Sequence, residues 1–140
     1  MNYTNNKLGI GPNGTVYTKY NNQKKISELI IGNEVQTLNG FNTVINITKI
    51  VNKEICYLNG CIFSPYNPVK FKGIWCLPQS VTLPIPNDID LYILELSSDN
   101  INEENNSIIV DGIICATYGF DPTISNPVKI PFEIMYREYC

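Results

Sequence analysis

Four short turn signals divide this chain, and each stands between two runs of β-branched and aromatic residues. Three of them are Asn39-Gly40, Asn59-Gly60 and Asp111-Gly112, and a weaker fourth is Lys72-Gly73. Asn-Gly and Asp-Gly are the preferred two-residue connections of β-hairpins, because a type I′ turn needs positive φ at both positions. These signals therefore predict an all-β protein.

Alternating hydrophobicity supports the same fold class. In the run TVINITKIV, the apolar residues Val44, Ile45, Ile47 and Ile50 are interspersed with polar ones, close to the period of two expected of a half-buried strand. A helical pattern is visible only in KKISELI, Lys24–Ile30, and it is short enough to predict about one turn. We expect a single domain of short antiparallel strands with at most one short helical turn.

Two stretches interrupt the strand pattern. Pro78, Pro84 and Pro86 predict edge or loop structure in the middle of the chain, since proline cannot donate to a sheet ladder. The acidic segment SSDNINEENNS, residues 97–107, is expected to be a solvated loop between two strands.

Composition narrows the possible function. The chain has 140 residues, of which 44% are hydrophobic and 16% are charged, as in globular domains. A net charge of −3 with no basic stripe argues against nucleic-acid binding. No run approaches the roughly 20 apolar residues that cross a bilayer, and the N-terminus lacks the pattern of a signal peptide. Frequent Asn, Ile and Lys suggest an AT-rich genome, such as those of many large DNA viruses and some protists. We therefore expect a cytoplasmic or virion location.

The thiols are expected to be reduced. The sequence holds five cysteines and no histidine. Cys56, Cys61, Cys76 and Cys115 lie in apolar, strand-like surroundings that favour burial as small hydrophobic residues. Because there is no CxxC pair, we expect no metal site. The terminal Cys140 is an incidental C-terminal residue, a reactive thiol or the partner in an intermolecular disulfide.

Other candidate ligands have ordinary structural interpretations. The segment NDID, residues 87–90, has too few oxygen ligands for a calcium loop and is expected to be a solvated turn. Trp75 is expected to be a core anchor rather than a ligand contact. The sequence predicts no cofactor and no small-molecule substrate.

Three segments in order resemble the Hint (hedgehog/intein) domains, most closely the Vint branch. Gly14–Gly40 resembles their opening Gly-Thr-x-Val, Ile-x-x-Leu and Gly-Asp-x-Val pattern. Ile62–Pro78, IFSPYNPVKFKGIWCLP, is similar to Thr-Pro-x-His-Pro followed by Gly-x-Trp-x-x-Pro. The runs LYILELSS and IIVDGIICATYGF resemble the closing strands. The resemblance implies a Hint-like domain over residues 10–130, with an N-terminal extension at 1–9 and a tail at 131–140.

Hint domains cut or rearrange their own backbone, and each step of that chemistry needs a particular side chain. Their first residue, a Cys or Ser, attacks the preceding carbonyl, and a Thr and a His polarise the amide and protonate its nitrogen. The resemblance places the nucleophile at Ile10, the threonine at Ser64, the histidine at Asn67 and a second histidine at Phe120. Only Ser64 keeps a side chain suited to its role.

The resemblance therefore implies a catalytically degenerate domain, not an enzyme, that serves as a structural or protein-interaction module. We expect the residues ahead of Ile10 to stay attached, and a protein partner or self-association through sheet edges or the segment after Phe120. One alternative is residual self-processing, in which Ser64 acts with a displaced thiol such as Cys115 or Cys140. Another is a structural component of a large DNA virus particle.

Overall fold

The predicted hairpins form around the turn dipeptides. The structure is a computed structural model that describes residues 8–20, 22–97, 102–120 and 122. The turns Asn59-Gly60, Lys72-Gly73 and Asp111-Gly112 all have φ between +47° and +83°, as a type I′ turn requires. At Asn39-Gly40 the prediction was off by one residue, because Thr37 pairs with Gly40 and the turn is therefore Leu38-Asn39.

Twelve strands account for most of the described chain. In chain order, β1 to β12 are Thr15–Thr18, Asn22–Lys25, Glu34–Thr37, Gly40–Val51, Glu54–Leu58, Cys61–Phe63, Val69–Phe71, Ile74–Cys76, Ile85–Pro86, Asp90–Leu96, Ser107–Val110 and Ile113–Ala116. They form three sheets, in the orders β10-β4-β3-β1-β2, β11-β12-β7-β8 and β6-β5-β9. The strand pairs within these sheets are antiparallel, and the all-β prediction is confirmed.

Helical structure is limited to single turns in the described part of the chain. A 3₁₀ turn at Ile26–Glu28 lies inside the segment predicted to be helical, while the preceding lysines belong to β2. A second 3₁₀ turn spans Pro78–Ser80. The prediction of a loop over residues 97–107 was wrong at its end, because Glu103–Asn106 form an α-helical turn, α1. Its N-cap is Asn102, whose side chain accepts a hydrogen bond from the Asn105 backbone N–H, as capping requires.

The main core draws buried side chains from nine of the twelve strands, together with Ile10, Ile26 and Leu29. Its largest fully buried side chains include Phe63, Ile10, Ile26, Leu94 and Ile108. The cysteine prediction holds for Cys56, Cys61 and Cys115, which are buried, whereas Cys76 is only partly buried.

Some predictions concern residues outside this description. The tail at 131–140, Cys140 and residues 1–7 of the N-terminal extension are not among the described residues.

Candidate functional site

Residues 9–11, here called the N-terminal strand, lie between two of the sheets and form isolated β-bridges to both through Ile10. They carry the position where the resemblance places the nucleophile. Ile10 pairs with Phe63 of β6 on one side and with Tyr92 of β10 on the other. Its N–H donates to the Tyr92 carbonyl, and the Tyr92 N–H donates to the Ile10 carbonyl, both at 2.9 Å. The Ile10 side chain is 2% exposed and belongs to the main core. Position 10 is thus occupied by a core side chain without a lone pair.

Glycine is required on both sides of Ile10. A Cβ on Gly9 would lie 2.7 Å from the Leu91 Cβ, and a Cβ on Gly11 would lie 2.6 Å from the Ile62 Cβ. Carbon atoms do not approach so closely, so a side chain at either position would push the strand away from β6 or β10. The close approach lets the backbone of residues 9–11 hydrogen-bond to both neighbours.

Asn67 and Ser64 both form hydrogen bonds to this strand. The Asn67 Oδ1 accepts a hydrogen bond from the Gly9 N–H at 3.0 Å. The Gly9 carbonyl accepts one from the Ser64 backbone N–H at 2.9 Å. Three of the four predicted positions, Ile10, Ser64 and Asn67, therefore lie together around the Gly9–Ile10 peptide.

The side-chain amide of Asn67 forms buried hydrogen bonds but cannot act as an acid. Asn67 is 1% exposed, and its Nδ2 donates to the carbonyls of Pro68 at 3.2 Å and Ala116 at 3.4 Å. A carboxamide neither gains nor loses a proton near neutral pH. In addition, Asn67 contacts the N–H of Gly9, one peptide upstream of the bond that Hint chemistry would break. The nitrogen of that bond belongs to Ile10, and its N–H is bound by the Tyr92 carbonyl.

The Ser64 hydroxyl is fully buried beneath the adjoining turn. Its Oγ accepts a hydrogen bond from the Tyr66 N–H at 3.0 Å, and the Asn67 N–H donates to the Ser64 carbonyl at 3.2 Å. These contacts fix the turn that presents Asn67 to the strand. The contact between Ser64 and Gly9 is the hydrogen bond from the Ser64 backbone N–H to the Gly9 carbonyl.

Phe120 is placed by an aromatic contact with Trp75. The two rings meet edge to face, with centroids 5.7 Å apart and planes at 76°. Trp75 is partly exposed rather than the core anchor that we predicted, and its indole N–H donates to the Glu103 carboxylate at 2.7 Å. Lys70 donates to the same oxygen at 2.7 Å. The hydrogen bond from Lys70 is the largest cause that lowers the pKa of Glu103, and the Trp75 indole adds to it.

Sequence reasoning missed Glu103 and Lys70. The available signal was Asn102 followed by Glu103 and Glu104, which is the pattern of a helix start with acidic residues in its first turn. The polar, asparagine-rich surroundings favoured the interpretation as a loop.

Burial makes the described cysteines weak nucleophiles. It raises the pKa of Cys56 to about 11, and burial together with the Asp111 carboxylate raises the pKa of Cys61 to about 12. Burial also raises the pKa of Cys76 and, well above its ordinary value, that of Cys115. Because the thiolate is the attacking species, none of these four thiols is activated.

The described residues show neither a candidate metal site nor a candidate membrane span. They contain no group of three or more potential metal-ligating side chains, and Asp90 of the segment 87–90 forms an ion pair with Lys49 at 3.8 Å. Over the same residues, no helix has the length and apolar character needed to cross a bilayer.

Comparisons with known proteins agree with this geometry. A family model described as Vint, a Hint-domain, matches residues 10–132. The crystal structure of the gp41-1 intein superposes with a TM-score of 0.60 at 16% identity, covering 79% of this chain and 99% of that chain. A variant of that intein carrying three substitutions gives a TM-score of 0.57 at 17% identity, covering 79% of this chain and 100% of that chain. No curated protein sequence matches this chain. At these identities, the structural likeness shows a shared fold.

Proposed function

This chain belongs to the Vint family of Hint domains, and we propose that it is a Hint-type domain that does not cleave its own backbone. We propose that it serves instead as a structural or protein-interaction module. Self-cleavage would need a nucleophile at position 10 and an acid directed at the departing nitrogen. The proposal rests on the absence of suitable groups for both roles in the described site.

The observation that carries the proposal is the environment of the Gly9–Ile10 peptide. The side chain that follows the carbonyl is aliphatic and buried. The Ile10 N–H donates to the Tyr92 carbonyl, an acceptor that cannot return a proton. The polar atoms of this peptide are therefore engaged as in an ordinary sheet, which stabilises the bond in place.

Residual self-processing is the competing function, and one contact favours it. The Ser64 N–H still donates to the Gly9 carbonyl, so a polarising donor remains at the position where negative charge would develop during cleavage. A displaced thiol would then have to attack. The raised pKa values of Cys56, Cys61 and Cys115 weigh against the described thiols in that role. Cys140 lies outside the described residues, so the proposal that it attacks needs a direct test.

Intact-mass measurement tests the proposal. Purified full-length chain is incubated at neutral pH for several days with and without dithiothreitol, which captures thioesters. We expect a single full-length mass in both samples. A parallel sample held in denaturant separates fold-dependent cleavage from chemical degradation. A fold-dependent fragment that ends at Gly9, or that disappears after Cys140→Ser, would reject the proposal in favour of self-processing.

Two further roles follow from the sequence and stay predictions. A protein partner at a sheet edge is consistent with the short strands β2 and β8, which end their sheets in the described part of the chain, because an outer strand can pair with an added one. A place in a virus particle rests on composition alone.

A further inference from the structure

The tripeptide Leu-Asn-Gly occurs twice in this chain, at residues 38–40 and 58–60. Both copies lie at the connection of a hairpin, but the strands around them end at different points. In the first copy, Gly40 is the first residue of β4 and pairs with Thr37 of β3, so the glycine lies in the ladder. In the second copy, Gly60 lies in the two-residue loop between β5 and β6. The same three residues thus present their Asn-Gly peptide in two environments.

The glycine nitrogen of the first copy is held by a hydrogen bond. The Val44 N–H donates to the Asn33 carbonyl, and hydrogen-bonded pairs alternate along an antiparallel ladder. Moving along the register in steps of two residues brings this alternation to the pair of Thr37 and Gly40. The Gly40 N–H therefore donates to the Thr37 carbonyl, and its nitrogen is engaged in the sheet.

The glycine nitrogen of the second copy is accessible. Asn59 and Gly60 have φ values of +50° and +82°, as in a type I′ turn, and both residues are exposed. Within the described part of the chain, neither the Gly60 N–H nor the Asn59 carboxamide forms a hydrogen bond. A Cβ built on Gly60 would meet no atom within 4 Å. The Asn59 carboxamide therefore lies next to a solvated, unengaged backbone nitrogen.

The third Asn-Gly pair, Asn13-Gly14, is confined by packing. The Gly14 carbonyl accepts a hydrogen bond from the Ile26 N–H at 2.8 Å, and a Cβ on Gly14 would lie 2.5 Å from the Val110 Cγ1. A reaction between an asparagine side chain and the next backbone nitrogen rotates the peptide that joins the two residues. These contacts oppose that rotation at Gly14, whereas Gly60 has open space around it.

We propose that Asn59 is a site of covalent self-modification, at which the folded chain converts its own asparagine to aspartate and isoaspartate. The Gly60 nitrogen gives its proton to solvent hydroxide and attacks the side-chain Cγ of Asn59. The bond from Cγ to the amide nitrogen breaks, ammonia leaves, and a cyclic succinimide remains. Water then opens the ring at either carbonyl, which yields aspartate or isoaspartate. The reaction leaves the chain unbroken, so it does not depend on the proposed function.

Isoaspartate at this position would alter the hairpin that holds the N-terminal strand. It inserts one methylene group into the backbone of Asn59, and a type I′ loop fits its two strands only at its normal length. The Ile62 carbonyl of β6 accepts a hydrogen bond from the Gly11 N–H at 2.7 Å. Just beyond β6, the Ser64 N–H donates to the Gly9 carbonyl. Modification thus weakens the pairing of β5 with β6 beside the contacts that hold residues 9–11.

Peptide mapping of the aged protein tests the site. The full-length chain is incubated at mildly alkaline pH in heavy-oxygen water, sampled over several weeks and digested with trypsin. Lysines lie between the three Asn-Gly pairs, so each pair falls in a separate peptide, and the label distinguishes ageing from reaction during digestion. We expect Asn59 to be modified at least about tenfold faster than Asn39, because the Gly40 hydrogen bond must break before a ring forms there. Equal rates, or a faster reaction at Asn39 or Asn13, would overturn the inference.

The same chain in denaturant is the control for local sequence. Because both tripeptides are Leu-Asn-Gly, Asn39 and Asn59 should react at similar rates once the fold is lost. A preference of the same size in denaturant would assign the selectivity to flanking residues and would also overturn the inference. Thermal unfolding of the aged, folded samples measures the consequence for the hairpin. The midpoint should fall as the isoaspartate content rises, and an unchanged midpoint would overturn the effect on β5 and β6.

Discussion

Gly9 donates its backbone N–H to the side-chain Oδ1 of Asn67 across 3.0 Å, although the two residues are 58 positions apart in the sequence. Asn67 therefore connects three parts of the chain: the N-terminal strand, its own turn, and the end of β12 at Ala116. An asparagine at the predicted position of a catalytic histidine thus has a structural role. It holds the Gly9–Ile10 junction in the sheet.

Removing the Asn67 amide should destabilise the fold. Asn67→Ala would leave the Gly9 N–H and the Ala116 carbonyl buried without this partner, and we expect a loss of about 2–4 kcal/mol in the free energy of unfolding. Urea denaturation followed by circular dichroism measures it. The control is Asn46→Ala on the exposed face of β4, which should change stability by no more than about 0.5 kcal/mol. Equal effects of the two substitutions would contradict the bridging role.

Restoring the nucleophile alone should not restore cleavage. We expect Ile10→Cys to remain a single full-length chain by mass spectrometry, because the N–H of residue 10 donates to the Tyr92 carbonyl, which is not an acid. Ile10→Val is the control for the packing change. The double variant Ile10→Cys/Asn67→His should also stay intact, since the side chain at position 67 contacts the N–H of Gly9 instead. Release of a nine-residue fragment from either cysteine variant would show that the site still supports acyl transfer.

The Glu103 carboxylate should make the surroundings of Trp75 sensitive to acid. Hydrogen bonds from Lys70 and Trp75 lower the pKa of Glu103 below its ordinary value of 4.5. The ionised Glu103 carboxylate therefore stabilises the fold fully above about pH 4.5, and this stabilisation is lost as the pH falls through the lowered pKa. Trp75 is the only tryptophan, so its fluorescence reports the change directly. Glu103→Gln should abolish this acid transition, whereas Glu104→Gln, on the exposed neighbour, should preserve it.

The buried thiols should react slowly in the folded protein. With a pKa of about 11 for Cys56 and about 12 for Cys61, less than about one thiol in a thousand is ionised at pH 8. We expect alkylation of both at least about a hundredfold slower than in the unfolded chain, measured by peptide mass spectrometry. Rapid labelling of either in the native protein would show that its thiol is activated. Because the folded state favours the neutral form of these thiols, their raised pKa values also contribute to the free energy of unfolding. That contribution is complete below about pH 8.5 and declines as the pH rises through about 11.

Local patterns predicted the hairpins well because turn geometry depends on neighbouring residues. Asn59-Gly60, Lys72-Gly73 and Asp111-Gly112 adopt positive φ, as their residue types favour. Asn39-Gly40 shows the limit of this reasoning. There the pairing of β3 with β4 puts Gly40 in the ladder opposite Thr37, and register depends on the whole sheet rather than on one dipeptide.

The candidate site was only partly predictable. The resemblance brought Ile10, Ser64 and Asn67 together, and the structure places them around one peptide. It gave no indication that the Asn67 side chain contacts Gly9 rather than Ile10, because that depends on distances across strands far apart in sequence. Glu103 was missed for a related reason. Its partners Lys70 and Trp75 come from a different hairpin, so the residues around Glu103 in the sequence do not indicate which side chains it contacts.

The carboxamide of Asn67 has a consequence for where this domain is able to work. An imidazole at that position would gain a proton on passing from neutral to mildly acidic surroundings and lose its ability to accept from Gly9. An amide keeps the same donors and acceptors throughout that range. The connection between the N-terminal strand and the rest of the domain is thus insensitive to the acidity of the compartment that holds the protein.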